Sequence, residues 1–315
     1  MTDKRWYDSA LPFVPSSMFR FRLAPSLLLA AVIAVSGCAS FDTWQRRAIF
    51  QPSPVAGDTA RRAPSGVEEM DLAVGHEGDS VHAWYARAQG EDAPTLLFLH
   101  GARRNLYGSQ ARIERWRDMG FNVLAIDYRG FGRSTERLPS ANSTIEDTQA
   151  AFAELVRRES DPAKRYIYGY SLGGALAIDL AAREDGLAGV ILEATFTSIG
   201  DVVQRSKWGW VPGLSMLVTQ EFDSVGRMAH VNEPILIIHG TEDRIIPHQM
   251  ADELAAAVGR VAQPLRRVLK IDGAGHWGVP SVAGPAYDKA VRDFIVVAGS
   301  AAPSAALSSM PTAVR

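Results

Sequence analysis

The 315-residue chain has a single cysteine, Cys38, so no intramolecular disulfide can tie it and the fold must be held by its core. It also lacks an excess of either charge. Its 33 basic and 35 acidic side chains leave a formal net charge of −2, which implies neither steering toward nucleic acid nor any other polyanionic partner. No cluster of His, Cys or carboxylate residues has metal-ligand spacing, so no metal or other cofactor is implied. Internal repeats are absent, and so is a long hydrophobic run: the apolar stretch from Leu23 to Val35 is too short to span a bilayer comfortably, and Pro25 weakens a helical span further. What the chain does have is 47% apolar residues, enough to bury one large core. A single α/β domain of about 250 residues is an ordinary size for such a chain.

The apolar stretch follows Arg20 and Arg22 and is followed by small residues, the layout of a secretory signal peptide. Directly after it, Val35-Ser36-Gly37-Cys38 resembles the lipobox of bacterial lipoproteins. The resemblance implies cleavage before Cys38, a diacylglycerol thioether on its sulfur and an acylated new amino terminus, which together anchor a protein to a membrane. Residues 1–37 are therefore expected to be removed, leaving the mature protein on the bacterial cell envelope, at the periplasmic face of the outer membrane. The segment before Leu23 is long for a leader and carries Asp3 and Asp8; Met18-Phe19-Arg20-Phe21-Arg22 makes an ordinary start, so translation is expected to begin at Met18. Residues 38–66, rich in Arg, Pro, Ala and Gly, read as an anchor and tether with one amphipathic piece around Phe41 to Phe50.

Beyond the tether, Val67–Val74 and Val81–Ala86 are β-prone runs separated by Gly75, Gly78 and Asp79, an antiparallel pair at a sheet edge. The pattern then changes. Thr95–Leu99, Asn122–Ile126, Tyr166–Tyr168, Val190–Leu192, Ile235–Ile238 and Val268–Ile271 are short apolar runs without alternation, as expected of parallel strands covered on both faces. Helical segments alternate with them. Ile113, Trp116 and Met119 recur at helical spacing; Ser143-Thr144-Ile145-Glu146 has capping-box spacing; Pro247 suits a first helical turn; Tyr287, Val291, Phe294 and Ile295 share a last helix face. This alternation predicts an α/β fold, a mostly parallel sheet of about eight strands with helices on both faces, over residues 67–297. Gly200 to Glu233 interrupts the alternation with Trp208, Trp210, Leu214, Met216, Leu217 and Phe222, and is read as a small lid. Residues 298–315, mostly Ala, Ser and Pro, are expected to be a disordered tail.

Ligands of such sheets bind at the carboxyl ends of the strands, and the sequence concentrates chemistry there. Gly169-Tyr170-Ser171-Leu172-Gly173-Gly174 reads as strand, sharp turn and helix, so its G-x-S-x-G is a candidate nucleophile elbow presenting Ser171. A serine hydroxyl needs a base held by a third group. His276, in the flexible Gly273–Gly278 loop after the last strand, is the best-placed base, and His239 ends an earlier strand. Asp243, in the loop after that same strand, can orient the imidazole; Glu193 is a second candidate acid and Glu242 a solvated neighbour. An oxyanion would need two N–H donors. Leu172 offers one by its position at the helix start, and Ala102, in Leu99-His100-Gly101-Ala102-Arg103, can offer the other. Arg103 and Arg104 read as a solvated pair.

Taken together, Leu99-His100-Gly101, Asp127–Ser134 (DYRGFGRS), Gly169–Gly174, His239–Asp243 (HGTED) and Gly275-His276 occur in the order and spacing of the α/β-hydrolase superfamily, which the chain resembles from about Val67 to Val297. It is similar to the small-lid serine hydrolases that include membrane-associated acyl-protein thioesterases, and Glu193–Ser198 (EATFTS) fits that branch. The resemblance implies a Ser171–Asp243–His276 triad, an oxyanion pair of Ala102 and Leu172, and hydrolysis of carboxylic esters or thioesters of a small-molecule or acyl substrate through an acyl-enzyme. Asp127 and Arg129 are expected to fix loops near the site. A serine exopeptidase or amidase is the alternative enzyme, and a non-catalytic envelope binding protein the alternative of another class.

Overall fold

The computed structural model describes residues 39–55, 63–75, 78–90, 92–259, 261 and 265–301. The chain separates into a unit ending at Phe41, of which only residues 39–41 are described, as helix, and a unit from Asp42 onward that carries the fold. The expected signal peptide, Cys38 and residues 302–315 lie outside the described residues. No helix among the described residues is long and apolar enough to cross a membrane.

Eight strands form one sheet: β1 (Val67–Ala73), β2 (Ser80–Ala86), β3 (Thr95–Leu99), β4 (Asn122–Ile126), β5 (Arg165–Tyr170), β6 (Gly189–Glu193), β7 (Ile235–Gly240) and β8 (Arg266–Ile271). Their spatial order is β1-β2-β4-β3-β5-β6-β7-β8. The β1/β2 and β2/β4 pairs are antiparallel and the remaining pairs are parallel. Strands β3, β5, β6 and β7 are buried along their whole length, the origin of their unalternating apolar sequence. β8, at the far edge, is only partly buried.

The helices are α1 (residues 39–50), α2 (Leu106–Asp118), α3 (Ala141–Arg158), α4 (Leu172–Ala181), α5 (Ile199–Arg205), α6 (Ser224–Met228), α7 (Gln249–Ala257), α8 (Val279–Ala283) and α9 (Pro285–Ala301). They cover both faces. On one face, Leu97 and Leu99 of β3 share a buried cluster with Phe152, Leu155, Leu176, Met228 and Leu254 of α3, α4, α6 and α7. On the other, Leu96 and Phe98 of the same strand share a buried cluster with Ile113, Trp116, Val291 and Phe294 of α2 and α9. Between β6 and β7, where the lid is expected, lie α5, a 3-10 turn at Leu214–Leu217 and α6.

Three expectations change. The tether is not free over residues 42–55: Phe50 is fully buried in the core, 6.2 Å from the Phe222 ring, Gln45 bonds Leu217 O and the Thr219 N–H, and Ser53 and Val55 exchange backbone bonds with Gly132. A buried phenylalanine outweighs the linker-like composition around it. The cap of α3 is Ser140 rather than Ser143: Ser140 Oγ accepts from Ser143 N (3.1 Å), and Ser143 Oγ accepts from Ser140 N (2.8 Å). Glu146, which the motif assigned to the cap, is drawn to Arg129 Nη2 at 2.7 Å. The tail, expected from residue 298, is still helical to Ala301, with Ala298 fully buried.

Candidate active site

The elbow is built from strain and from glycine. β5 delivers the chain to Ser171, whose φ of 54° and ψ of −117° lie where a residue bearing a Cβ rarely sits. Its N–H donates to Glu193 O (2.9 Å) and Thr195 Oγ1 donates to its carbonyl (2.9 Å), so the neighbouring strand holds the turn. A Cβ on Gly169 would lie 2.3 Å from Gly173 O, one on Gly173 would lie 2.1 Å from Leu99 O, and one on Gly174 would lie 2.4 Å from Thr195 Cβ. The tight turn therefore requires all three glycines.

The structure brings the sequence-selected Ser171, His276 and Asp243 together. Ser171 Oγ lies 3.1 Å from His276 Nε2, and His276 Nδ1 lies 2.7 Å from Asp243 Oδ2. The short bond to the carboxylate fixes the proton on Nδ1 and leaves the Nε2 lone pair for the serine hydroxyl. Asp243 also accepts the N–H groups of Ile245 (2.9 Å) and Ile246 (2.8 Å) on Oδ1, and His239 Nε2 stands 3.2 Å from Oδ2. Burial pushes the Asp243 carboxyl up, but the donors, led by His239 and then His276, more than offset it and hold it well below the usual carboxylate range. His239, weighed as a base, thus supports the carboxylate instead, with Nε2 also 3.0 Å from Ile246 O.

Leu172 opens α4, so its N–H belongs to the first helical turn, which has no intrahelical acceptor and lies at the positive end of the helix. A Cβ on Gly101 would come within 3.2 Å of Ser171 Cβ, so the turn carrying Ala102 lies directly against the elbow. Arg103 continues that turn in the left-handed region (φ 66°) and donates its N–H to Phe50 O at 3.2 Å. The exposed side chains of Arg103 and Arg104 bond Gln51 Oε1 and Gly108 O. Arg129 fixes loops as expected, bonding Asp147 (2.6 Å), Glu146 (2.7 Å) and Asp79 (3.4 Å).

Glu193, the second candidate acid, is fully buried and occupied elsewhere: Arg112 Nη1 donates to Oε1 (2.6 Å), and the hydroxyls of Tyr168 (2.8 Å) and Tyr287 (2.7 Å) donate to Oε2. This cluster reaches the base. Arg112 stacks 4.2 Å over the Tyr170 ring and donates to Trp277 O (3.3 Å), and Tyr170 OH donates to His276 O (3.0 Å). Sequence reasoning missed Arg112, whose only sequence signal is a cation on α2 beside the apolar Ile113 and Trp116, common on any amphipathic helix, and it read Tyr170 and Tyr287 only as parts of the elbow and of the last helix face. A cavity of about 410 Å3 at the amino-terminal ends of the strands contains none of these groups. Of its cations, Arg157, Arg158 and Lys164 are paired with Glu154, Glu68 and Asp92, and Arg87 lies 5.8 Å over the Tyr85 ring.

Residues 90–221 match a family model described as serine aminopeptidase, S33. An uncharacterized protein of Mycobacterium tuberculosis, MT2364, is 31% identical over 89% of this chain and 97% of its own length. The uncharacterized protein YfhR of Escherichia coli K12 is 30% identical over 75% of this chain and 82% of its own. Among solved structures, the Pyrococcus furiosus esterase Pf2001 superposes with a TM-score of 0.63 at 19% identity, over 78% of this chain and 98% of that one. The sheet order and elbow, the family match and the near full-length relatives agree: the chain belongs to the α/β-hydrolase superfamily, in one family with these mycobacterial and enterobacterial proteins.

Proposed function

We propose that the protein is a serine hydrolase that cleaves carboxylic esters or thioesters through an acyl-enzyme, held on the bacterial cell envelope by a lipidated Cys38. The observation that carries the chemistry is the relay of 3.1 Å from Ser171 Oγ to His276 Nε2 and 2.7 Å from His276 Nδ1 to Asp243 Oδ2. In the first half-reaction Ser171 Oγ bonds to the acyl carbon while its proton passes to His276 Nε2, and Asp243 stabilises the imidazolium without taking the proton. The carbonyl electron pair moves onto oxygen, toward the N–H groups of Leu172 and Ala102; loss of one such donor typically costs about 10²–10³ in kcat. The tetrahedral centre then expels the alkoxide or thiolate, which leaves with the His276 proton. Water repeats the sequence to free Ser171.

The name of the matched family model favours amide cleavage as a second reading. An aminopeptidase needs a carboxylate free to hold the substrate ammonium group. Asp243 and Glu193, the buried carboxylates weighed as partners of Ser171, are already engaged with histidine and arginine, which favours the ester reading. A fluorophosphonate probe on the full chain, mapped by mass spectrometry, tests the chemistry. Labelling of Ser171 that is lost in His276→Ala is expected; a folded protein with unlabelled Ser171 would return the reading to a binding protein. Rates on acyl esters, acyl thioesters and aminoacyl amides then separate the substrate classes.

A further inference from the structure

The two ends of the sheet differ in what they expose. From Asp42 onward, the exposed tryptophans among the described residues are Trp44, Trp208, Trp210 and Trp277, and they lie on α1, in the lid and in the loop after β8, all at the carboxyl end of the strands. Met216 and Leu217 of the lid and Ile245 of the Asp243 loop join them; Met216 is 86% and Trp210 76% exposed. Large apolar side chains crowded at one end of a soluble domain mark a surface that something covers.

The chain itself indicates what covers it. Asp42 is pinned to the lid, accepting from Thr219 Oγ1 (2.7 Å) and Gln220 Nε2 (2.8 Å), and Gln45 one turn later bonds Leu217 O (2.8 Å). Cys38 is four positions before Asp42, a span of at most about 14 Å for a fully extended chain. A lipid on Cys38 would therefore be tethered at the lid, the segment that exposes Trp208, Trp210, Met216 and Leu217. Tryptophan is the residue that settles at the boundary between headgroups and acyl chains, and Lys207, 5.5 Å over the Trp208 ring, places a cation there for lipid phosphates.

We infer that the exposed edge of the lid, Trp208, Trp210, Met216 and Leu217, is a bilayer-binding face that seats the protein with its strand carboxyl ends toward the membrane, so that Ser171 receives acyl substrates from the lipid phase. The inference rests on the membrane anchoring in the proposed function and not on the chemistry of Ser171. The full chain, reconstituted in phosphatidylethanolamine–phosphatidylglycerol vesicles containing bromo-acyl lipid, tests it through tryptophan quenching. Strong quenching is expected, at least halved in the double variant W208F/W210F. In Met216→Asp combined with Leu217→Asp, hydrolysis of a long-chain ester presented in vesicles should fall about 10-fold, with a short water-soluble ester unaffected. Quenching that is absent, or equal in W208F/W210F, overturns the inference, as does equal loss on both esters. Cross-links between copies through the lid without quenching also overturn it, since a second copy would then occupy the face. Mass analysis of the amino-terminal peptide separates the anchor from the face. A lipidated but unquenched chain leaves the anchor standing and removes the docking face, whereas quenching without lipid on Cys38 leaves the face standing and removes the anchor.

Discussion

Two buried histidine–carboxylate pairs stand at the carboxyl end of this sheet with opposite electrostatic outcomes. In one, His276 Nδ1 is 2.7 Å from Asp243; in the other, His100 Nε2 is 3.5 Å from Asp127, with both side chains fully buried. Asp243 collects two histidines and two backbone N–H groups and stays ionised. Asp127 receives the Leu106 N–H (2.8 Å) on Oδ1, while its Oδ2 and His100 Nε2 have no hydrogen-bond partner among the described residues. Burial pushes Asp127 up to about 8 and His100 down to about 4, so near neutral pH both are uncharged. Proximity of the same two residue types does not make a charge pair. The number of donors aimed at the carboxylate decides, and only the ionised pair reaches the Ser171 hydroxyl through a hydrogen bond.

The largest break in this contrast should come from Asp243→Asn. The amide keeps the shape but can offer an N–H toward His276 Nδ1, favouring the wrong tautomer, and kcat should fall about 10⁴-fold with the fold unchanged by circular dichroism. A smaller loss would mean that His239 and the backbone donors hold the imidazole without the charge. Next comes Arg112→Met, which leaves the fully buried Glu193 facing two tyrosines without its cation. Stripping one partner from a buried ion pair typically costs about 3–5 kcal/mol, to be read from denaturant unfolding. Because Arg112 and Tyr170 also hold the His276–Trp277 backbone, kcat should drop more than KM rises.

The contrast also marks what the sequence could carry. The elbow was legible because its glycines are local: Gly169, Gly173 and Gly174 fall within six residues around Ser171, even though the backbone of Leu99 and the side chain of Thr195, which exclude a larger residue at Gly173 and Gly174, come from other strand ends. Asp243 and His276 were legible because each sits in a loop directly after an apolar run, and topology brings the ends of adjacent strands together. Arg112 was not, since its partner is 81 residues away and only the packing of α2 on the sheet joins them. The linker-like composition around Phe50 hid its docking for the same reason, because the gap it fills beside Phe222 is made by a segment more than 170 residues later. Likewise, Ser143 matched a capping pattern whose glutamate is claimed by Arg129, a competitor from another loop.

His239→Phe is a smaller perturbation, because it removes one of two histidine donors from Asp243 and leaves His276 in place. A hydrogen bond to a charged group is worth about 1.5–3 kcal/mol, so kcat/KM should fall roughly 10- to 100-fold if that bond supports the anion in the transition state. The acid limb of the pH–rate profile should move with it. A loss in stability with no change in rate or profile would reduce His239 to packing and leave His276 as the one histidine that matters to Asp243.

Asp127→Asn should have the smallest effect on rate and is the sharpest test of the comparison. Near neutral pH the substitution exchanges a neutral acid for a neutral amide of the same shape, so kcat should stay within about 3-fold of wild type, a difference under 1 kcal/mol. The consequence lies in the pH dependence of stability. A carboxyl raised to about 8 in the folded protein contributes stability that is full below its unfolded value and is lost as pH rises through 8. His100, lowered to about 4, acts in the opposite sense: its contribution is present above its unfolded value and is lost as pH falls toward 4. The two oppose each other in acid, but between about pH 6.5, the ordinary histidine value, and pH 8 only the Asp127 contribution is still changing. Wild-type Tm should therefore decline over that window, and in Asp127→Asn the decline should flatten. An unchanged slope with lost activity would mean that Asp127 is ionised and electrostatically coupled to the elbow, and the two pairs would then be alike.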